Sequence, residues 1–244
     1  MKRLERAQRL MKKWGITYVD AIEDYRFFIK EAMDHSPKDL LIDACCGVDS
    51  SSVEGLHTQD RIGGFDIDLE GLKQNKLVKK LASGDLTALP FKENVCRAVA
   101  IHWGIEHIQH PLEALKEIYR VLKPGGRVVM MTTNTCHPFY FLARITPHRF
   151  HQYVRRKWLE IEEEETFKTY YRANTPLAMR SLLRCAAFSN ITLRYRGNLS
   201  VYAFTTPTFY LGLLYEKITD WTPLRWTKMF MIASGDKTRP TLDD

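Results

Sequence analysis

The sequence predicts an α/β protein: an open, doubly wound, Rossmann-like sheet of parallel strands with helices on both faces. Three observations carry this. From about Leu40 onward, short apolar runs alternate with helical stretches, the order a parallel sheet imposes because each crossover needs a helix. Polar residues stand where four successive runs end, and ligands of open α/β sheets sit beyond the carboxyl ends of the strands. The stretch from Pro111 to Leu122 repeats Leu112, Leu115, Ile118 and Leu122 on one helical face and then meets Pro124-Gly125-Gly126, a stop signal.

The elements follow in chain order. Leu4, Ala7, Leu10, Met11 and Trp14 fall at helical spacing, so the chain opens on an amphipathic helix with a basic face; residues 1–38 read as N-terminal cap helices. The first strand, Asp39 to Cys45, leads into the loop Cys46 to Ser52. The second, Arg61 to Asp66, precedes a helical pattern from Leu69 to Leu81, and a weak third strand at Leu81 to Gly84 ends at Asp85. The fourth, Ala98 to His102, and the fifth, Arg127 to Thr133, flank the Pro111 to Leu122 helix. Residues 135–175 break this rhythm with clustered His, Tyr and Arg, and irregular insertions of that length are usually functional or disordered. A helix from Pro176 to Phe188, a strand from Ile191 to Tyr195, an aromatic stretch to Trp226 and a last strand near Phe230 to Ala233 complete the chain. Without repeats or an interdomain linker, the sequence reads as one domain, with a core at 39–134, the insertion at 135–175 and C-terminal core elements at 176–244.

The 244 residues include 36 Lys and Arg against 29 Asp and Glu, a formal charge of +7, with 45% hydrophobic residues. That composition fits a folded globular chain and is too apolar for disorder. No run approaches the roughly 18 apolar residues of a membrane span. The N-terminus lacks the apolar core of a secretory signal, so the expected location is the cytoplasm. Cys45, Cys46, Cys96, Cys136 and Cys185 show no CxxC and no zinc spacing, so thiols are expected and no metal. Six of the first thirteen residues are basic, against Glu5 alone. That face suits anionic lipid or nucleic acid, but the favoured reading is a cap helix packed on its own domain with its charges in water.

The strand ends carry the chemistry. A tight loop after the first strand lets backbone N–H groups approach a ligand, and an acid ending the second strand, Asp66, can accept from two ribose hydroxyls. Asp85 is placed to accept from an adenine amine. No GxxxxGK[ST] follows the first strand, which disfavours triphosphate chemistry. No GxGxxG is present either, and Asp43 and Asp49 in the first loop would repel a pyrophosphate.

With these residues in place, the stretch from Asp39 to Asn134 resembles the class I S-adenosylmethionine-dependent methyltransferases, especially the branch acting on quinones, sterols and natural products. The likeness rests on LLIDACCG, GGFDID, SGDLTALPF and the ordered block IEHIQHPLEALKEIYRVLKPGGRVVMMTTN. It implies a seven-stranded sheet whose last strand is antiparallel, and S-adenosylmethionine as cofactor. It also implies that Asp43, Ala44, Cys45, Cys46 and Gly47 line the methionyl part, Asp66 with Ile67 the ribose, Asp85 with Leu86 the adenine, and His102 the methionyl end. The sequence departs from the family's acidic, glycine-rich first loop: the three glycine positions hold Cys45, Gly47 and Asp49, and Arg97 replaces an acid before the fourth strand.

Methyl transfer is a direct displacement that needs alignment and a dry pocket, with a base only when the nucleophile carries a proton. His107 is the expected base, with His137, His148 and His151 as alternatives. Glu106 beside His107 lacks a third metal ligand. The insertion, placed after the fifth strand, is the expected substrate lid. Tyr140, His148, His151, Tyr170, Tyr171 and Arg172 are its candidate substrate contacts, and Phe204, Phe209, Tyr210, Tyr215, Trp221 and Trp226 supply further aromatic surface. The expected activity is methyl transfer to O, N or C of a small natural-product, lipid-like or saccharide-derived acceptor. Nucleic acid is not an expected partner; peripheral contact with an anionic membrane is compatible with the basic helix. The alternatives are an RNA methyltransferase, suggested by the pI near 9.1, and a non-catalytic protein with a degenerate cofactor site.

Overall fold

The computed structural model describes all residues except 1, 18–19, 35, 37, 57–58, 141–166, 222 and 240–244. The chain forms two compact units: a helical unit of residues 1–20, 134–168 and 195–230, and a sheet unit of 21–133, 169–194 and 231–244.

The sheet has seven strands: β1 (Leu40–Ala44), β2 (Ile62–Asp66), β3 (Lys80–Ser83), β4 (Cys96–His102), β5 (Leu122–Thr133), β6 (Ser189–Arg196) and β7 (Phe230–Asp236). Their order is β3-β2-β1-β4-β5-β7-β6. The first five are parallel, with Ala44 beside Phe65 and Ile101, Asp66 beside Ser83, and His102 beside Met131. Their carboxyl ends therefore share one edge, as the sequence predicts. β7 runs against β5: the Gly125 N–H reaches the Lys237 carbonyl and the Lys237 N–H the Gly126 carbonyl at one end, and the Asn134 N–H reaches the Met229 carbonyl at the other. Val99, Ala100, Ile101, Val128, Val129 and Met130 are fully buried, which accounts for the continuous apolar runs of the central strands.

Helices α2 (Ala21–Met33), α3 (Leu69–Gln74), α4 (Pro111–Val121) and α5 (Pro176–Cys185) belong to the sheet unit. The expected helix from Leu69 to Leu81 is half that length. Asp68 caps its start by accepting from Glu70 N–H, and Asn75 ends it. The Asn75 side chain accepts from Leu77 and Val78 N–H and donates to the Gly47 carbonyl and Ser50 hydroxyl, so local bonds replace the helical ladder and β3 starts at Lys80. The α4 helix stops at Val121. Pro124-Gly125-Gly126 lies beyond it inside β5, where Gly125 takes φ +77°, instead of acting as the helix stop. The α5 helix ends at Cys185, before the expected Phe188.

In the helical unit, α1 (Lys2–Lys13) packs Ala7 and Leu10 against Leu199, Tyr202, Ala203 and Phe209, which come from a turn at Leu199–Tyr202 and from α6 (Thr206–Asp220). Arg6 donates to the Ala203 carbonyl at 2.8 Å and also to the Phe204 carbonyl. The basic N-terminal helix thus packs within its own unit, with Arg6 drawn into hydrogen bonds there.

Candidate functional site

The sheet unit gathers the strand-end residues at one edge. Asp43, the fourth residue of β1, is 1% exposed. Its Oδ2 is buried without a hydrogen-bond partner. Burial lifts its carboxyl to about 7, with the charges of Asp49 and Asp66 adding to the rise and a bond from Ser50 opposing it. A nearby cation or hydrogen-bond donor would favour the ionised form of such a group.

Asp66 ends β2 with its two oxygens held by backbone: Oδ2 accepts from Gly47 N–H at 2.8 Å and Oδ1 from Asp68 N–H at 2.8 Å. The acid therefore pins the first loop to the second. Ile67, next in the chain, is 64% exposed, and Val48 in the facing loop is 55% exposed. Asp85, itself exposed, accepts from Thr87 N–H and Thr87 Oγ1, while Leu86 is buried. Ala44 and Cys46 are buried as well.

The departures from the family loop have local explanations. Cys45 and Gly47 are its positive-φ residues, at +59° and +48°. A Cβ added at Gly104 would overlap the Cys45 Cβ and lie 2.7 Å from its Sγ, so Gly104 makes the room that Cys45 occupies. Burial raises the Cys45 thiol, and for Cys46 it does so to about 12, so both are protonated and unreactive. Asp49 does not take a positive φ; it is exposed and accepts from Ser51 N–H and hydroxyl at 2.8 Å each. Arg97 donates to the Ala32 carbonyl at the end of α2, a role in packing.

Beyond β4 the chain turns through Trp103, at φ +55°, into a short 3-10 turn, Ile105–His107. His102 is half-buried between Tyr25 of α2 and Trp103, at ring distances of 5.5 and 5.4 Å. His107 is half-buried. Glu106, 5% exposed, accepts from Thr132 Oγ1 at 2.8 Å, and Asn174 Nδ2 donates to Thr132 Oγ1 at 2.8 Å. The Glu106 carbonyl accepts from Tyr170 and Tyr171 N–H. Burial raises the Glu106 carboxyl. This three-segment chain ties the β4 turn, the end of β5 and the 169–175 return together, and it brings Tyr170, Tyr171 and Arg172 to the β4 turn. Thr132, Asn174, Gly104, Asn75 and Tyr25 went unnoticed in the sequence; each is an ordinary residue whose role appears only through a distant partner. Among the described residues no group of three or more His, Cys, Asp and Glu could hold a metal.

The remaining candidates divide. His148 and His151 lie outside the described residues, as does most of the expected lid. Tyr140 and His137 belong to the helical unit, and Tyr170 to Arg172 to the sheet unit. His137 is 1% exposed, its Nδ1 accepts from Phe139 N–H, and its Nε2 lies 2.8 Å from the Tyr202 hydroxyl. An imidazole accepting at Nδ1 must carry its proton on Nε2, so His137 donates to Tyr202. Burial pushes it down to about 4. It is a structural histidine with both nitrogens engaged, which removes it as an alternative base. Phe209 fills the core of the helical unit, and Tyr215 donates to the Thr227 carbonyl, whereas Tyr210, Trp221 and Trp226 are exposed.

A methyltransferase domain model matches residues 42–130. The demethylmenaquinone methyltransferase of Streptomyces avermitilis is 36% identical over 109 residues, 43% of this chain and 47% of that one. The corresponding enzyme of Staphylococcus epidermidis is 30% identical over 119 residues, 45% and 49%. The chain thus spans about half the length of the curated relatives it matches. Among solved structures, a methyltransferase of Thermotoga maritima aligns over 97% of this chain and 99% of its own at TM-score 0.52 and 15% identity. The geranyl diphosphate C-methyltransferase of Streptomyces coelicolor aligns over 86% and 79% at TM-score 0.53 and 15% identity. At that identity the likeness is one of fold. Strand order, strand-end acids and sequence match converge on one stretch: residues 42–130 are similar to a methyltransferase domain.

Proposed function

We propose that the protein binds S-adenosylmethionine at the carboxyl edge of β1, β2 and β3 and transfers its methyl group to a small, largely apolar acceptor. The observation that carries this reading is the pair of strand-end acids. Asp66 is fixed by two backbone N–H groups, and Asp43 keeps a buried oxygen with no partner in the protein. Leaving a buried carboxylate oxygen unpaired costs more than a hydrogen bond returns, so a ligand that supplies a cation or donor relieves it. The bound cofactor offers an ammonium there and an electrophilic methyl on sulfur for the displacement.

The residues present fit that group. Asp43 would receive the ammonium, Gly47 lets backbone approach, Asp66 would hold the ribose hydroxyls, and the exposed Ile67 offers an apolar face for the base. The exposed Asp85 would take the adenine amine, with its other oxygen fixed by the Thr87 turn. Cys45 and Cys46 remain neutral thiols and place no added charge near the sulfonium. The tie from Glu106 through Thr132 to Asn174 positions Tyr170, Tyr171 and Arg172 beside the β4 turn, where an aromatic, polar-headed acceptor would be aligned. His107 on that turn would take a proton where the acceptor nucleophile carries one. Relatives of this sequence named demethylmenaquinone methyltransferases support a ring-bearing, lipid-like acceptor for this chain too.

Titration calorimetry with S-adenosylmethionine is the direct test. Saturable heat and a thermal shift are expected, and their absence at millimolar ligand would sink the reading. Mass spectrometry of acceptors incubated with protein and cofactor then reads methyl gain. His107→Ala should lower turnover with cofactor affinity kept; normal turnover on the same acceptor would return His107 to a structural role.

A further inference from the structure

The helical unit turns an apolar stripe outward. Tyr210, Leu211, Leu214, Lys217 and Ile218 of α6, with Trp221 just past its end, are exposed along one face of the helix, and Asp220 is exposed beside them. The opposite, buried face carries Phe209 and Gly212 but also Glu216 and Thr219. One acid, Glu216, thus lies on the inner face while several large apolar groups face outward. Leu211, Leu214 and Trp221 are 67%, 56% and 74% exposed, and grouped exposed apolar side chains of this kind mark interaction surfaces.

The stripe sits beside a source of positive charge. Trp14, just past α1, donates its Nε1–H to the Tyr210 hydroxyl at 2.7 Å, with the two rings edge to face. That bond fixes the end of α1, with exposed Arg9, Lys12 and Lys13, next to the exposed face of α6. Lys217 lies within the stripe, and Arg225 and Trp226 are exposed just beyond it. Of the acids nearby, Glu216 is buried against Lys228, and Asp220 accepts from the same ammonium at 2.7 Å. The surface thus joins aliphatic side chains, indole and phenol rings with polar edges, and exposed cations. That combination matches the interface of an anionic bilayer: chains enter the acyl boundary, Trp and Tyr lie at the headgroups, and Lys and Arg meet the phosphates. Among the described residues no helix is long and apolar enough to cross a membrane, so this surface would lie on a bilayer.

We propose that α6 and the basic end of α1 form a docking surface for an anionic lipid bilayer. The surface uses no residue assigned to the cofactor. It deepens the functional reading in one respect, since a lipid-like acceptor would be drawn from the bilayer on which the protein rests.

The test is sedimentation of the full chain with vesicles of phosphatidylcholine and phosphatidylserine at about 2:1, against phosphatidylcholine alone, with tryptophan emission recorded in parallel. Binding to the anionic vesicles, a blue-shifted emission and weakening by salt are expected. Leu211→Glu with Leu214→Glu should lower partitioning roughly tenfold or more. Lys12→Glu with Lys13→Glu should abolish the preference for phosphatidylserine by a similar factor. All four positions are exposed, so unchanged thermal unfolding is expected, and cofactor affinity measured on the same samples separates failure of this surface from failure of the methyltransferase reading. The proposal is overturned if the native chain ignores anionic vesicles at low salt, or if the double-glutamate variant binds them equally well. It is also overturned if the native chain forms a dimer that Leu211→Glu with Leu214→Glu dissociates and shows no vesicle binding, which would make a second copy the occupant.

Discussion

Two buried polar groups, one in each unit, are handled in opposite ways. In the helical unit, His137 donates to Tyr202, Tyr202 donates to Glu216, and Lys228 bridges Glu216 and Asp220; the chain of bonds closes within the protein. In the sheet unit, Asp43 is as deeply buried, yet one oxygen stays unpartnered and its carboxyl is pushed up to about 7. A closed network rigidifies a small helical core, while an open one stores an unfavourable state that a ligand can relieve. The burial of a polar residue therefore says little about function until its partners are counted.

The largest effect is expected where the closed network is cut. Lys228→Met leaves Glu216 buried without its cation, and breaking such a pair costs about 3–5 kcal/mol. Chemical denaturation should show a loss on that scale; a loss below about 1 kcal/mol would mean the pair is solvated. In the sheet unit, Asp66→Ala removes acceptors for two loop N–H groups as well as the proposed ribose contact. Charge-assisted hydrogen bonds of this kind are worth roughly 1.5–3 kcal/mol each, so cofactor affinity should fall by about ten- to a hundredfold, with a measurable loss of stability. Unchanged affinity in calorimetry would detach Asp66 from the cofactor.

These two cases also mark what the sequence disclosed. The acids at the ends of β1, β2 and β3 were legible because each sits where a short apolar run stops, and their chain order carried the fold class. The extent of α3 was not, since Asn75 ends it through bonds to Gly47 and Ser50, some 25 to 28 residues earlier in the chain. His137 stood among the alternative bases, because its tautomer depends on Phe139 N–H and on Tyr202, which lies 65 residues away. The outward stripe of α6 was visible only as aromatic content: periodicity reveals two faces of a helix but not which one is buried.

A smaller, sharper effect concerns the first loop. Gly104→Ala forces a methyl against Cys45, and overpacking of this kind costs about 1–3 kcal/mol. Cys45→Gly removes the obstructing side chain and suits the positive φ of that position. The double variant should recover most of the loss, so a denaturation cycle should give a coupling of about 1 kcal/mol or more. Additive losses would show that Gly104 is needed for some reason other than the cysteine.

The finest prediction separates an open carboxylate from a closed network by pH. Asp43 has its pKa raised from 3.8 to about 7, so between those values the folded state binds more protons than the unfolded state, and stability falls as pH rises through that window. His137 is lowered from 6.5 to about 4. There the unfolded state binds more protons, and stability is lost as pH falls from 6.5 toward 4. The two groups therefore bend the stability curve in opposite directions, and Asp43→Asn should leave the His137 acid limb while flattening the decline toward pH 7. Cofactor binding adds a second reading of the same group. An ammonium held at Asp43 favours the ionised carboxylate, so binding near pH 6.5 should release a proton, seen as an enthalpy that depends on the ionisation heat of the buffer. Asp43→Asn should abolish that dependence. Proton release that persists unchanged in the variant would assign the proton to another group and leave the orphaned oxygen of Asp43 without a role in holding the cofactor.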